Sequence, residues 1–286
     1  MTAPGFDPVK FKAGQRALWN SASEVWSDLP PEFAAGARLL DRELLRLSGL
    51  RRGQRVLDVA CGTGDTALSA AQVVGDSGSV TGIDLASDMI AAARKRADDQ
   101  PHVEFRVADA DDVELAPGSY DVILSRWGLM FSADRPALFR RLRELLTDDG
   151  VLAAVTWGPD HRSPMMTLGG TVLAARLELP TPPPGAPGPS GMVDPEKIRT
   201  EFTGAGFSAV TVAEFMVPFS VSSPQRYAAF VRDMSPPMMQ QMLQQRFGDA
   251  GDPATWQLVA AAAEPYVAAD GTVQLPSSTN LIRAVR

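Results

Sequence analysis

The chain has 286 residues, 45% of them hydrophobic and 21% charged, with a formal net charge of −7. This is the composition of a folded globular protein, and no apolar run nears the ~20 residues that span a bilayer. The acidic balance argues against a nucleic-acid partner, whose phosphates would need clustered Lys and Arg.

The N-terminal "MTAPGFDPVKFKAGQRALWN" has no apolar core ahead of a small-residue cleavage site, and the one cysteine has no intrachain partner, so a cytoplasmic location is expected. From Phe11 to Leu50 the pattern is helical, broken at Pro30–Pro31, because proline fits only the first turn of a helix. Apolar and amphipathic segments then alternate: strand Arg55–Ala60, helix Asp65–Val74, strand Ser79–Asp84, helix Ser87–Asp98 and strand His102–Val107. Strand Tyr120–Ser125, helix Arg135–Leu146 and strand Gly150–Trp157 continue the series. The basic run "FRRLRELL" reads as the wet face of that last helix, its arginines alternating with leucines at helical spacing.

Short Val/Ile/Leu-rich strands joined by helices predict an α/β fold, a doubly wound, Rossmann-like and mostly parallel sheet with both faces covered. Ligands in such sheets bind at the carboxyl ends of the strands, which here are Asp58 to Gly64, Asp84, Asp109, Ser125 and Trp157 onward. "TPPPGAPGPSG", Thr181 to Gly191, reads as an extended surface connection. "DPEKIRTEFTGAGF" restores a helix, capped by Asp194 with Pro195 at its first position, and the strand "AVTVAEFMVPF" follows. A methionine-rich helical stretch, Ser223 to Ala269, precedes a returning C-terminal strand, "NLIRAVR". The expected organisation is an N-terminal helical segment over the ligand (1–52), a cofactor core (53–157), an insertion plus sixth strand (158–221), a helical lid (222–270) and a last core strand (271–286).

"VLDVACGTGDTALSAA" places Gly62 and Gly64 on the start of the dinucleotide fingerprint G-x-G-x-x-G/A, with Ala67 third and Asp84 twenty positions after Gly64. The glycines permit positive φ and close backbone approach, and a carboxylate ending the second strand accepts ribose hydroxyls. Those tasks suit any ribose-bearing ligand, so a nicotinamide-dependent oxidoreductase stays open on this evidence. Asp65 at the helix start and Asp58 within the strand weigh against a pyrophosphate and toward an adenosyl ligand that carries positive charge.

Together these motifs resemble those of the class I S-adenosylmethionine-dependent methyltransferases. "LDVACGTG" is similar to their first motif, with Asp58, Gly62 and Gly64 in place and Ala60 where the first glycine would stand, a departure of one methyl group. "GIDLASDMI" resembles the second, which implies Asp84 at the ribose and Leu85 and Met89 as adenine walls. "VADADDVEL" resembles the third, implying Asp109 at the adenine amino group and Ala110 as a backbone contact. "DVILSRWGLMF" resembles the fourth-strand motif, implying Ser125 and Arg126 near the methionine end of S-adenosylmethionine. "FSADRPALFRRLRELLTDDGVLAAVTWGP" is most similar to the ubiquinone- and menaquinone-biosynthesis type and its natural-product relatives. Their leading helix resembles "QRALWNSASEVWSDL" and would bring Trp19 or Trp26 against the cofactor.

The resemblance implies methyl transfer to O, N or C of a small, hydrophobic acceptor, with no metal, no membrane partner and room for a homo-oligomer; a non-catalytic S-adenosylmethionine-binding protein is the other alternative. His161, flanked by Asp160 and Arg162 just past the fifth strand, is the candidate general base, whereas His102 at a strand start reads as structural. Met165, Met166, Met234, Met238, Met239 and Met242 cluster in the two insertions and suit an apolar pocket, and Cys61 reads as a small buried filler.

Overall fold

In the computed structural model, which describes residues 7–97, 100–183 and 185–286, two helices precede the sheet. Helix α1 (Pro8–Ser27) starts where the Asp7 carboxylate accepts from the Val9 and Lys10 amides. It gives way at Asp28 to α2 (Pro31–Ser48), the break expected at Pro30–Pro31. One face of α2 buries Leu40 and Leu44 completely, at ~1.5–3 kcal/mol for each such side chain.

The core then follows as β1 (Arg55–Val59), α3 (Asp65–Val74), β2 (Ser79–Asp84), α4 (Ser87–Arg96), β3 (Val103–Val107) and β4 (Tyr120–Arg126). Helix α5 (Arg135–Leu145), β5 (Leu146–Trp157), α6 (Pro164–Arg176), α7 (Pro195–Gly204) and β6 (Ser208–Val221) come next. Three further helices, α8 (Pro224–Asp233), α9 (Pro237–Phe247) and α10 (Pro253–Ala263), lead to β7 (Val273–Val285). The sheet has seven strands in the order β3-β2-β1-β4-β5-β7-β6. The first five run parallel, and β7 pairs antiparallel with both β5 and β6. This is the doubly wound, mostly parallel sheet that the alternation predicts.

Two differences matter for the site. A dinucleotide-binding Rossmann sheet has strand order 3-2-1-4-5-6, whereas here an antiparallel strand is wedged between β5 and β6. The strand order reverses between β1 and β4, so the crevice for a ligand opens over their carboxyl ends. The proline-rich connection also does more than cross the surface. Gly188 N–H donates to the Met130 carbonyl at 3.0 Å and Ser190 Oγ to Asp160 at 2.8 Å, which fold this segment back over the strand tips.

Most element boundaries agree with the sequence pattern to within a few residues. The helix expected to reach Asp98 is helical as far as Arg96, Asp98 itself lying outside the described residues. Strands β5 and β7 are longer than expected. Leu146 pairs with Tyr120 across an irregularity in the register, and the sequence "VQLPSS" before Asn280 pairs with β6 despite its proline. Pro276 faces Pro218 of the edge strand, a pairing in which neither residue can donate a ladder bond.

Candidate active site

The turn after β1 is built by backbone conformations that favour glycine. Gly62 has φ +54° and Gly64 φ +89°, and their roles differ. A Cβ on Gly64 would meet Phe105 Cζ at 2.8 Å and Ala93 at 3.2 Å, so this glycine lets the turn pack on β3 and α4. A Cβ on Gly62 would meet nothing within 4 Å, so that glycine forms open wall. Ala60 also has positive φ, +56°, a conformation that costs an L-residue ~1–2 kcal/mol. Replacement of the expected glycine there is therefore a strained departure, not a bare methyl group.

Asp84, at the end of β2, ties this turn to the next. Its Oδ2 accepts from Gly62 N–H and its Oδ1 from Ala86 N–H, both at 2.9 Å. Burial raises its carboxyl above the ordinary value, against which these amide bonds pull it down. Each oxygen keeps a second lone pair for a ligand.

Beside the turn lies a charged network. Arg126, at the end of β4, donates from Nη1 to Asp41 of α2 at 3.1 Å and from Nη2 to Asp65 at 3.4 Å. Asp65 also takes Arg96 at 2.6 Å, and Thr66 Oγ1 donates to the other oxygen of Asp41 at 2.7 Å. Burial raises the Asp41 carboxyl, opposed by Arg126. Asp65 is thus neutralised by two guanidinium groups, and its weight against a pyrophosphate is smaller than the sequence alone suggests; strand topology separates this fold from the dinucleotide type more firmly.

Above these groups is a cavity of about 560 Å³, within the ~300–1,000 Å³ of small-molecule sites. One side consists of strand tips: Ala60, Gly62, Asp84, Leu85, Asp109 and Arg126. Helix α1 closes it. Lys12 reaches Asp109 at 2.7 Å and Asp111 at 2.9 Å, Asn20 accepts from the Asp88 amide, and Trp19 and Trp26 pack with Ala22, Ala86 and Met89. Burial pulls the Lys12 ammonium down, but the Asp109 and Asp111 carboxylates outweigh it and hold its pKa above the ordinary value. The far side is formed by Met165, Met166 and Leu173 of α6 and by Phe230, Met234 and Met239 of the segment that follows β6. Trp127 joins the two halves, stacked on Trp157 at 4.6 Å with φ +59°, a strained backbone for so large a residue.

Residues 56–150 match the family model described as a methyltransferase domain. The chain is 34% identical over 163 residues to the 2-phytyl-1,4-naphtoquinone methyltransferase of Thermosynechococcus vestitus, a match covering 56% of this chain and 63% of that one. It is 33% identical over 145 residues to the aklanonic acid methyltransferase DauC of a Streptomyces species, covering 50% and 64%. The chain thus spans somewhat under two thirds of the length of these curated relatives. Among solved structures it has the fold of the Haemonchus contortus phosphoethanolamine N-methyltransferase 2, with TM-score 0.58 and 20% identity, covering 100% of this chain and 61% of that one.

Within and around the matched segment, Ala60, Gly62, Asp84, Leu85, Met89, Asp109, Ala110, Arg126 and Trp26 all line the cavity. Gly64 does not, for the packing reason given above. Asp58 is 1% exposed and lies beneath the turn, outside the lining, with neither carboxylate oxygen hydrogen-bonded. Burial pushes its carboxyl well up, and Asp41 and Asp84 add to this against the pull of Arg126, so Asp58 is a structural acid under the site. Ser125 is also outside the lining: its Oγ donates to the Val59 carbonyl at 2.8 Å and pins β4 to β1.

The candidate base is displaced. His161 sits exposed on the short turn Asp160–Arg162, outside the cavity, whose lining the chain rejoins at Met165 in the first turn of α6. Arg162 pairs with Glu214 at 3.0 Å and Asp160 accepts from Ser190, and neither residue lines the cavity. His102 lies at the amino end of β3, remote from the strand tips. Four of the six singled-out methionines line the cavity, whereas Met238 is 70% exposed and Met242 lies off the lining. Burial pushes the Cys61 thiol well up, as befits a filler. Sequence reasoning missed Lys12, Asp41 and Trp127. Lys12 and Asp41 come from helices without a motif, and Trp127 faces the cavity from a positive φ that no local pattern announces.

Proposed function

We propose that this protein is an S-adenosylmethionine-dependent methyltransferase acting on a small, apolar acceptor. The observation that carries this reading is that the segment matched as a methyltransferase domain supplies one wall of the cavity, while an apolar lid supplies the other. The residues present fit the adenosyl group. Gly62 leaves open wall, Asp84 is oriented by two amides with lone pairs to spare for ribose hydroxyls, and Leu85 and Met89 flank it. The sulfonium supplies an activated methyl group. Around it the chain's task is to bind, align and exclude water, which provide most of the rate for an in-line displacement.

The lid residues lining the cavity include, among the described residues, no titratable side chain. The acceptor side therefore favours an apolar molecule and provides no base of its own. Relatives whose names specify a naphthoquinone and aklanonic acid support a ring-bearing acceptor. Incubation with methyl-labelled S-adenosylmethionine and a panel of quinone precursors and aromatic metabolites tests this. Label should move to at least one apolar acceptor; binding of S-adenosylhomocysteine with no transfer to any of them would support a passive binding protein instead.

A further inference from the structure

Asp41 is a buried carboxylate on α2, outside the residues matched as a methyltransferase domain, and it belongs to none of the motifs. It is 3% exposed, and both of its oxygens are used: Oδ1 by Thr66 at 2.7 Å and Oδ2 by Arg126 Nη1 at 3.1 Å. Arg126 is itself almost buried, its side chain 8% exposed, yet it lines the cavity. A guanidinium has five N–H groups in a planar fork. Among the described residues, two of these are used, one by Asp41 and one by Asp65. The plane is held further by Trp127, whose ring centre lies 5.5 Å from the guanidinium carbon.

Burying an arginine at a cavity wall is costly, and such a group is retained where its remaining donors have a partner. The geometry points to Asp41 as a positioning residue: it holds Arg126 so that the uncommitted donors take the carboxylate at the amino-acid end of an S-adenosyl ligand. This rests on the adenosyl-site reading given above. It makes α2 part of cofactor recognition, with Thr66 orienting Asp41 from the first turn of α3 and Asp65, paired with Arg96, bracing the other side of the fork.

Two thioethers separate this role from a structural one, S-adenosylhomocysteine and 5′-methylthioadenosine, which share the adenosyl group but of which only the first has a carboxylate. Calorimetry on the wild-type chain should show both binding. Asp41→Asn should weaken S-adenosylhomocysteine about tenfold and leave methylthioadenosine within about twofold. Arg126→Lys, which keeps the charge but loses the fork, should show the same selective loss, and the two substitutions combined should weaken binding little more than either alone. Equal losses for both ligands, or no loss for either, would overturn the assignment. Circular dichroism and thermal unfolding identify a variant that has not folded, in which case Arg126→Lys decides. A wild-type chain that binds neither thioether would remove the adenosyl-site reading, and this inference with it.

Discussion

Gly62 and Gly64 share one motif and one backbone region, yet the structure assigns them opposite consequences on replacement by alanine. Gly62→Ala places a methyl group at φ +54° with nothing within 4 Å, so its cost to folding is the conformational one alone, ~1–2 kcal/mol. Gly64→Ala meets the same conformational cost at φ +89° and drives a methyl group to within 2.8 Å of Phe105 Cζ and 3.2 Å of Ala93. Overpacking of that kind adds ~1–3 kcal/mol, for a total of ~2–5. Ligand affinity should rank the other way. The Gly62 methyl group stands on the cavity wall and should cost at least about tenfold in S-adenosylhomocysteine affinity, ~1.4 kcal/mol, whereas folded Gly64→Ala should bind within a few-fold of wild type. Urea unfolding gives the first ranking and calorimetry the second. A Gly64 variant as stable as the Gly62 variant, or a Gly62 variant with unchanged affinity, would refute this division of labour.

Other expectations follow from the same geometry. Asp84→Ala should weaken S-adenosylhomocysteine binding by ~1–3 kcal/mol and also lower stability, since it orphans the Gly62 and Ala86 amides; calorimetry and urea unfolding measure the two losses. Asp58→Asn should flatten the fall of stability with pH. A carboxyl whose folded pKa is raised contributes fully below the ordinary carboxylate range, and that contribution is lost as pH rises through the folded value, so the wild type should lose more stability than the variant between pH 5 and pH 8. Identical declines in urea unfolding at the two pH values would show that Asp58 is ionised in the native state. His161→Ala should leave methyl transfer unchanged once an acceptor is in hand, and a large fall in kcat would return the exposed histidine to the site.

The parallel part of the fold was legible because its signal is local. Pairs and runs such as Val56–Leu57 and Val122 to Leu124 put apolar residues on both faces of the sheet, and a sheet covered on both sides asks for that. The strand-tip half of the site was legible for a related reason: Gly62 and Asp84 have roles set by backbone shape and by position at the end of a strand. The lid half was not. Methionines at helical spacing signal an apolar surface without saying which of them face inward, so Met238 and Met239, adjacent in sequence, lie one in solvent and one in the cavity. His161 was misplaced because a residue following a strand inherits no direction from it, and here the short turn Asp160–Arg162 leaves the side chain exposed. Asp41 and Lys12 escaped notice because an isolated charge on an amphipathic helix reads as solvated surface, and only tertiary packing shows that these two face inward.

The central claim, that the strand-tip cavity is an S-adenosyl site, is tested most directly by titrating the protein in a calorimeter with S-adenosylhomocysteine and, separately, with NAD. Saturable one-to-one heat from the first and none from the second is the predicted result. Heat from NAD alone would contradict it.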